Sequence, residues 1–303
     1  MSRLERIVAA CGGVLLDGGS RALIPGPDHS TRDRSVSLRE TEEGRILIHC
    51  FSPRDDWRAV RRALAERGLL NDEVLPSGPR SRASAVVAQP GKEARVERAR
   101  KIWEDSQPIR LTQASNYLRR RAIAASADLD AALRFHPRMT SLEDRVRRPA
   151  LVAGIYDREG LLQGVQVTLL TRHGGAKAPL TTPRRVIGRL VGGAVRLMPE
   201  SPTMVVAEGV ESALSAADVL ETPAWAALSA HNLSCFEPPA AVRCLIIASD
   251  SDPAGVHASE TLLRRVEGAG LRARIEMPPA EHGDWNDAVQ ASFRAATRSG
   301  KQD

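Results

Sequence analysis

A chain of 303 residues with 42% hydrophobic content is long enough for two domains, and it contains no apolar run of membrane-spanning length. The start MSRLERIVAACGGVLL lacks the basic opening, long apolar stretch and small-residue cleavage site of a secretory leader, so the expectation is a cytoplasmic protein with no membrane contact. A net charge of +6 favours a polyanionic partner, and only four of the basic residues are lysines: Lys92, Lys101, Lys177 and Lys301.

In chain order, residues 1–72 read as a small α+β unit. It holds a helix over Leu4 to Ala10, strands at Arg21 to Ile24, Val36 to Arg39 and Ile46 to Cys50, and a helix from Trp57 to Arg67 closed by Gly68. Residues 73–94, rich in Pro, Gly, Ser and Ala without sustained period, read as a linker. From Arg95 to Arg148 the pattern turns helical and basic, with 13 Arg and Lys against 7 Asp and Glu and with Trp103, Tyr117 and Phe135 interspersed. Such a segment is either a helical region with solvated arginine faces or a nucleic-acid surface; its nucleic-acid-binding candidates are Arg100, Lys101, Arg119, Arg120 and Arg121. ALVAGIYDREGLLQGVQVTLLT then predicts a β-hairpin turning at Asp157 to Gly160, which completes a part spanning 95–200.

The part from 201 to 290 alternates strand and helix. Strands at 203–207, 224–228, 244–248 and 273–277 are separated by helices Val210 to Leu220 and Ala254 to Gly268, with a last helix from Asn286 and a tail over 291–303. Apolar strands in βα alternation predict an α/β fold: a parallel sheet with helices on both faces. In such sheets ligands bind beyond the carboxyl ends of the strands, and three acid clusters fall there. Glu208 and Glu211 follow the first strand, Asp250 and Asp252 the third, and Asp284 and Asp287 the fourth. Convergent carboxylates repel unless a cation offsets them, and hard oxygen ligands select Mg²⁺ or Mn²⁺. Several acids suit two ions about 4 Å apart, the arrangement used in phosphoryl transfer. Gly209 and Gly255 would let backbone approach phosphate at two helix N-termini. The calcium reading of DSDPAG fails, because Ala254 and Thr261 stand at the fifth and twelfth positions of the loop.

VVAEGVESALSAADVL, CLIIASDSDPAG and GDWNDAV together resemble a Toprim domain of the phage, plasmid and mobile-element primase type, related to DnaG-like primases. The similarity extends upstream through RARKIWEDSQPI, YLRRRAI, LRFHP, GGAKAPL and GGAVRLM, with Ser212 where Thr is usual. The resemblance implies Glu208, Asp250 and Asp252 as the metal-binding core, with Glu211, Asp284 and Asp287 in support. It also implies that Lys177 contacts nucleotide phosphate or template.

ALIPGPDHSTRDRSVSL and GRILIHCFSPRDDW resemble the zinc-binding domain of such primases, but Gly26 and Arg54 occupy two ligand positions. Only His29 and Cys50 remain, and two ligands cannot close a tetrahedral site, so no structural zinc is expected. The four cysteines, Cys11, Cys50, Cys235 and Cys244, show no paired spacing and are read as reduced thiols. The expected core of this degenerate zinc-ribbon-like domain is Leu23, Val36, Leu38, Ile46, Ile48 and Phe51.

The resemblance implies a primase-like nucleotidyltransferase that makes RNA primers from NTPs on single-stranded DNA during replication of a mobile element. The alternatives are a weakly catalytic or non-catalytic DNA-binding accessory and a Toprim nuclease. A topoisomerase is disfavoured, since only Tyr117 and Tyr156 could supply its nucleophile. No GxxxxGK[ST] motif occurs, so unwinding falls to a separate helicase.

Overall fold

A computed structural model describes residues 1–27, 29–30, 33–41, 44–50, 56–70 and 91–299. The chain separates into two compact units, Met1–Gln89 with Ser141–Val146 and Pro90–Thr140 with Arg147–Asp303.

In the first unit, α1 (Arg3–Cys11) opens on a capping box between Ser2 and Glu5. A four-stranded antiparallel sheet follows in simple order: β1 (Val14–Leu16), β2 (Arg21–Ile24), β3 (Val36–Glu40) and β4 (Ile46–Cys50). Helix α2 (Trp57–Glu66) is capped by Asp56 and followed, after Arg67, by Gly68, whose φ of 67° suits glycine. The core gathers Leu4, Ile7, Ala22, Ile24, Val36, Leu38, Ile46, Val60 and Leu64. Leu23, expected there, is not among them, because β2 alternates with period two and turns Ala22 and Ile24 inward instead. Strand β1 is an addition to the expected elements; its three residues are too few to show a period. His29 Nδ1 lies 2.8 Å from Asp33 Oδ2. Burial pushes the Asp33 carboxyl up, but hydrogen bonds from Ser35, His29 and Gly26 outweigh it and hold it below the usual range. Phe51, Arg54 and most of the expected linker lie outside the described residues.

The second unit begins with α3 (Lys92–Glu104), three residues ahead of the expected helical segment, followed by β5 (Gln107–Pro108) and α4 (Gln113–Arg120), which Thr112 caps. A five-stranded antiparallel sheet then forms in order β5, β6 (Leu133–Thr140), β7 (Arg147–Tyr156), β8 (Leu162–Leu169) and β9 (Arg184–Gly188). The helical reading of 95–148 therefore needs correction over β6. In LRFHPRMT, Leu133 and Phe135 turn into the core shared with the parallel sheet, Arg134 packs over the Trp103 ring, and past Pro137, where the register shifts in a bulge, Met139 joins the core on the α3 side. The β7–β8 hairpin turns where expected, with the Leu161 N–H donating to Asp157 Oδ1 at 2.8 Å.

The remainder is a parallel sheet of β10 (Thr203–Ala207), β11 (Ala224–Ala226), β12 (Cys244–Ala248) and β13 (Arg272–Glu276), in order β11-β10-β12-β13. Between them run α5 (Val210–Leu220), α6 (Ala230–Ser234) and α7 (Pro253–Gly268), and α8 (Trp285–Ser299) follows the last strand. Its central strands read as unbroken apolar runs because both faces are covered. Val205, Ala207, Ile246 and Ala248 pack toward α5 and Trp285, while Met204, Val206, Leu245 and Ile247 pack toward Leu233 of α6 and Leu262 of α7. Helix α8 runs into the stretch read as a tail. The first of these cores also contains Leu151, Ala153 and Ile155 of β7 and Tyr117 and Leu118 of α4, so one apolar body joins the antiparallel and parallel sheets. Reciprocal backbone bonds between Val195 and Ala226, at 2.9 and 3.0 Å, continue that junction. The segment that follows the antiparallel sheet is thereby fixed to β11.

Candidate functional site

Ala207 and Ala248 are partners across the parallel ladder, so the chain leaves β10 and β12 side by side and delivers Glu208 and Asp250 to one place. Burial, then the negative charges of Asp250 and Asp252, push the Glu208 carboxyl up to about 7, against the pull of Arg184 and a backbone N–H from Ala230. Asp250 is pushed up to about 6, first by burial and then by the charges of Asp284 and Asp252, although the Ser212 hydroxyl donates to its Oδ1 at 3.1 Å.

Asp252 caps α7, its Oδ1 accepting from the Gly255 N–H at 2.7 Å, with Pro253 opening the helix behind it. A Cβ at Gly255 would come 3.0 Å from the Asp250 carbonyl oxygen and 3.3 Å from Asp252 Oδ1. The glycine lets the first helical turn close beneath both acids. Asp284 arrives from the loop before α8, which is tied to the Asp250 loop by Ser251 N–H to the Gly283 carbonyl at 2.9 Å and Ser251 Oγ to the His282 carbonyl at 3.1 Å. The Asp287 N–H donates to Asp284 Oδ1 at 2.7 Å, while the Asp287 residue is exposed. Among the described residues, no group of three or more His, Cys, Asp or Glu side chains is arranged to hold a metal ion.

Glu211 has other partners. Its Oε1 accepts from the Tyr117 hydroxyl at 2.5 Å and lies 3.4 Å from Lys177 Nζ; its Oε2 lies 3.8 Å from Arg184. Burial alone would raise this carboxyl, but the charges of Arg184 and Lys177 and the Tyr117 bond bring it down to about 2. Burial lowers the Lys177 ammonium, and the charges of Arg184 and Arg121 act with it against the attraction of Glu211. Tyr117 is itself shifted strongly upward, by burial and by the Glu211 charge, and so stays a hydrogen-bond donor.

Lys177 is held there by a tight loop. The Gly175 and Ala176 N–H groups donate to Thr171 Oγ1 at 3.1 and 3.2 Å, and a Cβ on Gly174, at φ 69°, would lie 2.1 Å from the Gln113 carbonyl oxygen.

Of the five basic candidates, Arg100 and Lys101 are exposed on α3 and Arg119 and Arg120 on α4, with Arg100 paired to Glu97 at 2.7 Å. Arg121 differs. Its guanidinium donates to Asn286 Oδ1 at 3.0 Å and sits 5.3 Å from the Tyr117 ring centroid. Asn286, fully buried, donates back to the Arg121 carbonyl and to Ser215 Oγ, both at 2.9 Å. Sequence reasoning missed Tyr117, Arg184, Ser212 and Asn286 as members of this site. Ser212 and Asn286 had a signal, since both fall inside the motifs that carry the resemblance; Arg184 had none among the many arginines.

Residues 203–295 match the family model of the Toprim domain, and residues 93–197 match that of a domain of unknown function (DUF7146). No curated protein matches the chain. Among solved structures it is similar to a DNA primase domain from Pseudomonas aeruginosa, at 17% identity over 66% of this chain and 77% of that one, with a TM-score of 0.45. It is similar also to the zinc-binding and RNA polymerase domains of the Aquifex aeolicus primase, at 15% identity over 99% and 83%, with a TM-score of 0.46. A third is the primase fragment of the bacteriophage T7 primase-helicase protein, at 15% identity over 95% and 98%, with a TM-score of 0.43.

Proposed function

We propose that this chain, whose residues 203–295 are a Toprim domain, is a primase-like nucleotidyltransferase that joins ribonucleotides on single-stranded DNA with Mg²⁺ or Mn²⁺. The observation that carries the reading is the pair Glu208 and Asp250, two acids brought together at adjacent parallel strand ends and pushed up to about 7 and about 6 by burial and by neighbouring carboxylates. Crowded carboxylates of this kind gain most from a hard divalent cation. Glu208, Asp250, Asp252 and Asp284, whose side chains are not arranged around a common point, would have to turn toward the ion to hold it; Glu211 would not, because Tyr117, Lys177 and Arg184 already engage both of its oxygens. Divalent ions there would activate an attacking 3′-hydroxyl and stabilise a leaving pyrophosphate.

The protein's own groups supply the rest. The Ala230 N–H and the Ser212 hydroxyl fix the orientation of Glu208 and Asp250. Lys177 and Arg184 present positive charge to nucleotide phosphates, and the exposed Arg100, Lys101, Arg119 and Arg120 present it to a DNA backbone. Unwinding of a duplex template would come from a helicase acting with these residues.

The test is incubation with single-stranded DNA, labelled NTPs and Mg²⁺ or Mn²⁺, with Asp250→Asn as control. Short RNA products that disappear in the variant support the reading. Metal-dependent cleavage of the DNA without RNA products would replace it with a nuclease, and binding with neither product would leave an accessory protein.

A further inference from the structure

Glu211 lies only three residues after Glu208, yet it is 6% exposed and binds groups from the antiparallel half of its unit. Two cations around one carboxylate leave a net positive charge directly beside an acidic cluster. Arg184 is the member both groups share: it lies 3.8 Å from Glu211 Oε2, an oxygen 4.0 Å from where a Cβ on Gly209, next to Glu208, would sit, while Ser212, next to Glu211, donates to Asp250 Oδ1 at 3.1 Å, and its charge acts on both acids. Its side chain is 40% exposed and only 3.8 Å from Glu211 Oε2, so it has room to change partners. A guanidinium is well matched to a carboxylate and competes with any divalent cation for the same oxygens.

Burial gives Glu211 the advantage in that competition. The lower dielectric around it strengthens its attraction for Lys177 and Arg184, and the Tyr117 hydroxyl fixes the orientation of its carboxylate. We infer that Glu211 is a positioning residue that holds Arg184 away from Glu208 and Asp250, with Lys177 anchored on the same carboxylate. The acids thereby stay open to a divalent cation, and the two basic groups stay in place to meet the polyphosphate of an incoming nucleotide. This rests on the acids being a cation site, as proposed above.

The experiment is a double-mutant cycle read by Mn²⁺ binding to the full chain without DNA or nucleotide, using electron paramagnetic resonance of free Mn²⁺. Glu211→Gln should weaken Mn²⁺ binding about tenfold, because Arg184 then settles on the acids; Arg184→Gln alone should change it less than about threefold. Both substitutions together should restore affinity to within about threefold of the wild type. If Arg184→Gln gives the same gain in both backgrounds, the two charges act independently and the inference is overturned. Circular dichroism checks each variant. Should Glu211→Gln fail to fold, Tyr117→Phe takes its corner of the cycle, with coupling of the same sign expected and additivity again decisive. A wild type that binds no Mn²⁺ removes the cation-site reading itself; a wild type that binds with an additive cycle removes only this inference.

Discussion

Asn286 and Arg121 bond each other twice, the asparagine amide donating to the arginine carbonyl at 2.9 Å and the guanidinium donating back to Asn286 Oδ1 at 3.0 Å. Through Ser215 the same amide reaches α5, so one side chain of the GDWND motif ties α4, α5 and α8 together beneath the acids. Its removal leaves several buried polar groups without partners. Asn286→Ala should therefore destabilise the fold by roughly 2–4 kcal/mol in denaturant unfolding. A change under about 0.5 kcal/mol would show the network to be solvated.

Arg119 and Arg120, two residues and one residue before Arg121, should behave differently. Both are exposed at the end of α4, and their replacement by Ala should leave the unfolding midpoint in place while weakening single-stranded DNA binding for every sequence tested. For each phosphate that an arginine no longer neutralises, the log–log slope of affinity against salt should become shallower by about 0.7. Arg121→Ala should show the reverse balance, a lower midpoint with a smaller effect on the slope.

The acids make a pH-dependent contribution whose sign is fixed by their shifts. Glu208 rises from 4.5 to about 7 and Asp250 from 3.8 to about 6, so the folded metal-free protein binds protons that the unfolded chain releases. That stability is fully present below the unfolded values and is lost as pH rises through about 6 to 7. Metal-free protein should lose roughly 1–3 kcal/mol between pH 5 and pH 8 from this source. Glu208→Gln and Asp250→Asn should each flatten the slope, and Mg²⁺ or Mn²⁺ should raise the wild-type midpoint at pH 8 more than that of either variant. A pH profile identical in wild type and variants would detach these residues from the effect.

Two adjacent glycines of the Lys177 loop give a matched pair. At Gly174 a Cβ would collide with the Gln113 carbonyl oxygen and φ is 69°, whereas at Gly175 the nearest atom is Thr171 Oγ1 at 3.9 Å. Gly174→Ala should cost roughly 1–3 kcal/mol and reduce activity by displacing Lys177. Gly175→Ala should be close to neutral in both, and equal effects would refute the packing argument.

Metal analysis of dialysed protein should find well under one zinc per chain. Gly26 stands at one ligand position, and His29 lies 2.8 Å from the carboxylate of Asp33. Stoichiometric zinc would require a ligand set different from the one the resemblance suggests.

Strand β10 and helix α5 begin and end where the sequence places them, because an apolar run, a Glu-Gly turn and a helical apolar period are all local properties. For the same reason Glu208, Asp250 and Asp252 are legible: each is one to four residues past the end of a strand, and the chain itself carries it to the sheet edge. Which face of a strand is buried is less legible where nothing local decides it. In β2 the choice of Ala22 and Ile24 over Leu23 follows from where α1 and α2 lie. In β6 arginines at alternate positions hide a strand.

The identity of a charge's partner is a property of the folded body alone. Glu211 sits among acids in the sequence and among cations in space, because Tyr117 comes from 94 residues away, Lys177 from the loop before β9 and Arg184 from β9 itself. Arg121, written as one of three consecutive arginines, turns away from the other two because Asn286 lies 165 residues on and within hydrogen-bond reach. Local spacing determined the elements and the edge at which the acids collect. Burial in a shared core, which changes dielectric and brings distant charges within a few ångströms, decided which of those carboxylates are pushed up and which are held down by a partner.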